Sequence, residues 1–159
     1  MALRARRQAG AHRPVDGGAR QPVPHCGDLA MVALSTTRPV GVDVQQLVAD
    51  TDARRVAGRF FPSAEARFVA EGRGRGGPAG RFTVLWTRKE ASVKAAGGGL
   101  ARALALPVHG PSPVVVHQPT GRYLVSDVPA PSGFRAAVAL QGTAPYRVTR
   151  RWWRRAARH

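Results

Sequence analysis

Cysteine is almost absent: Cys26 stands alone in 159 residues. No disulfide can close within such a chain, and the usage fits a reducing cytoplasm. Long apolar runs are also missing, so no segment is expected to span a bilayer, and the basic N-terminus lacks the apolar core of a secretory signal. Acidic residues are few, nine against 25 Lys and Arg, which leaves a formal charge of +16. That imbalance points to polyanionic partners. Lysine is scarcest among the cations: only Lys89 and Lys94 occur, so 25 − 2 = 23 of the basic residues are arginine. Where arginine serves for nearly every cation, two lysines five residues apart mark a place that needs a compact, mobile ammonium. What is present in quantity is apolar side chain, 43% of the chain, enough for the core of one domain at this length.

Both lysines fall in Leu85-Trp86-Thr87-Arg88-Lys89-Glu90-Ala91-Ser92-Val93-Lys94. Phe82, Leu85, Trp86, Val93 and Ala96 recur at three- and four-residue spacings, which predicts a long helix from about Arg81 to Ala96, ended by Gly97. Lys89 lies inside that apolar stripe, where a charge is costly without a partner. Glu90 and Lys94 sit on its edge, four apart with the acid first. The plain reading of that spacing is a surface ion pair adding about 0.3 kcal/mol. The intruding Lys89 shifts the balance towards an anion-binding edge at a cleft.

A second informative stretch is Val40-Gly41-Val42-Asp43-Val44-Gln45, whose alternation predicts a half-buried strand with the three valines on one face and Asp43 and Gln45 on the other. The run Leu29 to Leu34, followed by Thr36-Thr37-Arg38-Pro39, reads as the first arm and turn of a hairpin with it. A carboxylate and an amide oxygen two residues apart can share a hard cation such as Mg²⁺, which takes few protein carboxylates. The plain alternative is an exposed polar strand face.

Elsewhere the pattern predicts a helix from about Asp52 to Arg59, another with Ser63 as its N-cap, a loop from Gly72 to Gly80, and strands at Val114–Val116, Tyr123–Val125 and Phe134–Leu140. The fold class is therefore α+β, an antiparallel sheet packed on the long helix, with Asp43 and Glu90 facing each other across the contact. Gly72 to Gly77 has the look of an RG-rich segment, and Arg150 to Arg155 sets Trp152 and Trp153 among cations, as single-strand binders and membrane-surface segments do. A loop and a short tail explain them more simply, so nucleic acid ranks second among partners and a membrane is not expected.

Three motifs in order carry a family resemblance: Gly41-Val42-Asp43-Val44-Gln45; Arg59-Phe60-Phe61-Pro62-Ser63-Ala64-Glu65; and Leu85 to Ala91 with Lys94 and Gly97 to Leu100. Pro24-His25-Cys26-Gly27-Asp28 precedes them. From about Val23 to about Gln141 the chain resembles the 4′-phosphopantetheinyl transferases, in particular the larger type that activates peptide and polyketide synthases. The resemblance implies transfer of the phosphopantetheine arm of coenzyme A to a serine of an acyl or peptidyl carrier protein, with Mg²⁺ as cofactor and adenosine 3′,5′-bisphosphate released. It matches Asp43 and Glu90 to the metal-binding acids, with Gln45 at a position that is usually acidic. Lys94 matches the lysine near the reacting phosphate, Lys89 the one beside it, and His25 the histidine on the diphosphate. Glu90 is then the base for the carrier serine, directly or through a metal-bound water. Coenzyme A and acidic carriers both suit the positive charge.

The resemblance also implies a division of the chain: a basic remnant over residues 1–22, the transferase domain over 23–141, and an Arg- and Trp-rich tail over 142–159. Members of the larger type have two similar halves, and these motifs belong to the second, so the chain reads as truncated at its N-terminus. A chain so truncated could pair with itself, by analogy with the smaller oligomeric class. The alternative is a non-catalytic paralogue or a basic protein that binds nucleic acid.

Overall fold

A computed structural model describes residues 2–7 and 25–26 by their backbone course and 29–153 with side chains, positions 75 and 100 excepted. Strands β1 (Ala2–Arg7), β2 (His25–Cys26), β3 (Leu29–Leu34) and β4 (Val40–Gln46) come first, followed by helices α1 (Asp50–Phe60) and α2 (Ser63–Ala70). A short 3₁₀ turn at Gly74–Gly76 leads to the 18-residue α3 (Pro78–Ala95), then α4 (Leu100–Leu104). The chain continues through β5 (Val114–Gln118), β6 (Gly121–Val128), β7 (Phe134–Gln141) and β8 (Thr149–Trp153). Two four-stranded sheets result, ordered β2-β3-β1-β8 and β4-β7-β6-β5. Every pairing in the second is antiparallel, which gives the expected α+β fold.

The valine alternation places β4 as predicted. Val42 and Val44 pack with Val138, Leu140, Leu29 and Met31 on one face of the sheet. On the opposite face, Phe82, Leu85 and Ala91 of α3 meet Val116, Tyr123, Val125, Ala137 and Ala139. The expected hairpin between the Leu29 run and β4 does not form. Both edges of that expectation fail for one reason: β4 pairs with β7, and β3 lies over its face instead of beside it, with Leu29 and Met31 packed on the valines. An apolar run beside a short turn specifies burial but not which direction the burial takes.

Helix α3 starts earlier than the apolar stripe, because Pro78 suits a first turn and Asp50 Oδ1 accepts the Ala79 N–H at 2.9 Å. Its end is as expected. Gly97 adopts φ +69°, its N–H bonds to Lys94 O at 3.3 Å, and the Gly98 N–H bonds to Val93 O at 2.9 Å, the two bonds of a Schellman termination. Ser63 is the first residue of α2 and not its cap; Pro62 holds the cap position with no side-chain bond. In the segment expected to be a tail, 149–153 forms β8, which runs parallel to β1. Most of the segment 1–22, and residues 154–159, lie outside the described residues.

Gly41 sets the distance between β4 and α3. A Cβ there would sit 2.1 Å from Ala91 O and 2.4 Å from Ala95 N, both backbone atoms that cannot swing aside. Gly41→Ala should therefore cost about 3 kcal/mol, the upper end of overpacking penalties. Urea unfolding followed by circular dichroism checks this; a midpoint equal to that of the parent would show that the contact is slack.

Candidate active site

Asp43 occupies the α3-facing side of β4, two residues from Gly41, and is 4% exposed. Its Oδ1 accepts a bond from Lys94 Nζ at 2.6 Å. Its Oδ2 is buried with no hydrogen-bond partner among the described residues. Burial is the main reason the carboxyl is pushed up to about 6; Lys94 opposes the shift and the neighbouring Glu90 charge adds to it. Glu90 is raised in turn by burial, with Lys94 pulling the other way. The two acids thus feel each other and share one ammonium. Gln45 follows on the same side of β4, half-buried.

The structure brings Asp43, Glu90 and Lys94 together, with Gln45 next along the strand. Lys94 reaches across to Asp43, so the helical Glu90–Lys94 surface pair is replaced by a tertiary one. Lys89 goes elsewhere. It is 1% exposed, its Nζ lies 2.5 Å from Glu65 Oε2 on α2, it donates to Leu106 O, and it sits 4.4 Å from the Phe61 ring centroid. The stripe position implies burial with a partner, and Glu65 is that partner; the anion-binding edge expected from Lys89 does not form, because its ammonium is engaged by Glu65 and Leu106 O inside the core. His25 starts β2, but its side chain lies outside the described residues.

Three supporting residues escaped the sequence reading. Glu65 stands 24 positions before its lysine and carries no periodic signal, although it closes the Ser63-Ala64-Glu65 motif. Asp50 caps α3 from the first turn of a different helix. Arg88 fills a bidentate pair with Asp127, both bonds 2.7 Å, and donates further to Val108 O and Gly110 O. No local pattern joins these residues, because each contact is made only by the tertiary fold.

The donor set suits a hard cation. Asp43 Oδ2 is an orphaned buried oxygen beside a second carboxylate, and the Gln45 amide adds a neutral oxygen on the same strand face. Among the described residues no three His, Cys, Asp or Glu side chains form a metal-binding group, so two acids and an amide are the candidate ligands. Lys94, partly exposed beside them, supplies the positive charge that a phosphate would meet. No helix among the described residues is long and apolar enough to cross a membrane.

Comparison with known proteins converges on the same region. The model of the 4′-phosphopantetheinyl transferase superfamily matches residues 39–149, which include β4 and α3. A Synechocystis sp. protein, provisionally named a 4′-phosphopantetheinyl transferase, is 36% identical over 95 residues, 57% of this chain. The match spans 37% of that relative's length.

A raised Asp43 sets the sign of the pH response. The folded state binds the Asp43 proton more tightly than the unfolded state does, so stability falls as pH rises from about 4 towards about 6. The shift corresponds to about 3 kcal/mol, and Glu90 acts in the same direction. In chelator-treated protein the melting temperature should drop over this window, and Asp43→Asn should flatten the drop. Equal slopes in parent and variant would assign the effect to other groups.

Proposed function

Because this chain belongs to the 4′-phosphopantetheinyl transferase superfamily, we propose that it moves the phosphopantetheine arm of coenzyme A to a serine of an acyl or peptidyl carrier protein, using Mg²⁺ held by Asp43, Glu90 and Gln45. The observation that carries this reading is the buried, unpartnered Oδ2 of Asp43 beside Glu90 and Lys94. An oxygen left bare in such a place costs stability, and a bound cation would remove the cost. When bound, Mg²⁺ neutralises charge on the diphosphate of coenzyme A.

The chain's own residues then divide the work. The Lys94 ammonium, close to Asp43 and partly open to solvent, orients the diphosphate and offsets the charge that builds as its bridging bond breaks. Glu90 takes the proton from the carrier serine hydroxyl as the serine oxygen attacks the phosphorus that bears the pantetheine arm. The new bond joins serine oxygen to phosphorus, and adenosine 3′,5′-bisphosphate leaves with the electrons of the broken phosphorus–oxygen bond. Lys89, tied to Glu65, serves the framework in this reading. Gln45 supplies an oxygen without a charge, so affinity for Mg²⁺ is modest.

The test mixes the chain with Mg²⁺, a fluorescent coenzyme A and an apo carrier protein. Carrier labelling is expected, lost on chelation, and reduced about 10²-fold or more in each of Asp43→Asn, Glu90→Gln and Lys94→Met while far-ultraviolet circular dichroism stays unchanged. At sub-saturating Mg²⁺, labelling should weaken as pH falls, because protons compete with the cation for Asp43. Labelling that survives all three substitutions would sink the assignment.

A further inference from the structure

Four ion pairs occur among the described residues, and three of them share α3. The fourth, Arg55 with Asp52, is an exposed pair within one helix. The three on α3 reach three different elements: Arg88 to Asp127 on β6, Lys89 to Glu65 on α2, and Lys94 to Asp43 on β4. At 3.6 residues per turn, positions 88, 89 and 94 project at about 0°, 100° and 240° around the helix axis. The helix is therefore held from three sides, and its roll has no free direction. Glu90 projects at about 200°, between the second and third tethers.

The Lys89 tether is also the anchor of an irregular segment. Glu65 Oε1 accepts the Val108 and His109 N–H groups at 2.6 and 2.9 Å, and Lys89 donates to Leu106 O. Arg88 adds its bonds to Val108 O and Gly110 O. Three charged side chains thus satisfy five backbone groups of residues 106–110, and the segment holds the charges in return. Lys89 and Glu65 are both almost wholly buried, so neither can relax into solvent if its partner is lost.

We propose that the Glu65–Lys89 pair is a positioning device: it fixes the roll of α3 and thereby sets Glu90 and Lys94 against Asp43. The proposal rests on the transferase reading only where it speaks of rate. A roll of about 10° at a side-chain radius of about 6 Å moves the Glu90 and Lys94 groups about 1 Å. A displacement of that size is enough to cost up to about 10²-fold in rate.

The chain's two lysines give a direct readout, because ¹⁵N-lysine labelling yields one ammonium signal for each ion pair. In Glu65→Gln/Lys89→Met the glutamine keeps an acceptor for the Val108 and His109 N–H groups, and methionine fills the lysine's length without charge, so the core stays filled. The remaining Lys94 signal should shift or be lost to solvent exchange, and kcat for carrier labelling should fall between about 10-fold and 10²-fold, with KM for coenzyme A raised as Lys94 leaves its place at the diphosphate. A folded double variant whose Lys94 signal matches the parent overturns the proposal, whatever its rate. A displaced signal upholds it even if the parent labels no carrier, in which case the transferase reading alone fails. Should the double variant not fold, Glu65→Asp, which keeps the charge and shortens the tether by one methylene, is judged by the same signal.

Discussion

The close approach of α3 to β4 at Gly41 is the constraint on which the remaining architecture depends. Without a side chain at this position, the backbone of Ala91 and Ala95 comes to 2.1 and 2.4 Å from where a Cβ would stand, well inside van der Waals contact. That proximity converts two ordinary elements into a single unit. It buries the Asp43 carboxyl under the helix, brings Glu90 within electrostatic range, and lets Lys94 span the gap. A helix held one methyl group further out would leave Asp43 to water and Lys94 without a fixed acceptor. The glycine is thus a requirement of the site as much as of the fold.

Electrostatics in this molecule run against its overall composition. The surface is rich in arginine, yet the site sets the buried Asp43 beside the half-buried Glu90, two of the chain's nine acids, where ionisation is disfavoured. Such an arrangement costs stability and is retained where chemistry uses it. The surrounding positive charge draws anions inward over long range. The tethers on α3 do a different job from the surface: each joins the helix to a separate layer, so they specify orientation more than they add stability.

Much of the fold was legible in the sequence because its signals are local. Valine alternation in Val40 to Val44 oriented β4 correctly, Phe82 and Leu85 marked one buried face of α3, a helix buried on most of its sides, and Gly97 marked its end. The nearness of Asp43 and Glu90 followed from the facing of those two elements, whereas their roles came from the family resemblance and not from the pattern. What stayed hidden depends on contacts between distant segments. The partner of Lys89 could not be read from spacing, nor could the cap that Asp50 lends to α3, because both arise between separate elements. The Leu29 run was misplaced for a related reason: packing over a strand and pairing beside it demand the same apolar residues. Strand β8 was hidden by composition, as five exposed residues rich in arginine and tryptophan give no sign of pairing.

The scarcity of lysine has a practical consequence for chemistry done on this molecule. Reagents that acylate primary amines while sparing guanidinium groups find two side-chain targets, and one of them, Lys89, is sealed in the interior at 1% exposure. Lys94, one-fifth open, is the accessible side-chain amine. Acylation there, mapped by mass spectrometry, becomes a footprint of a single locus: whatever polyanion shields that nitrogen announces where it has bound, against a background of arginines that do not react.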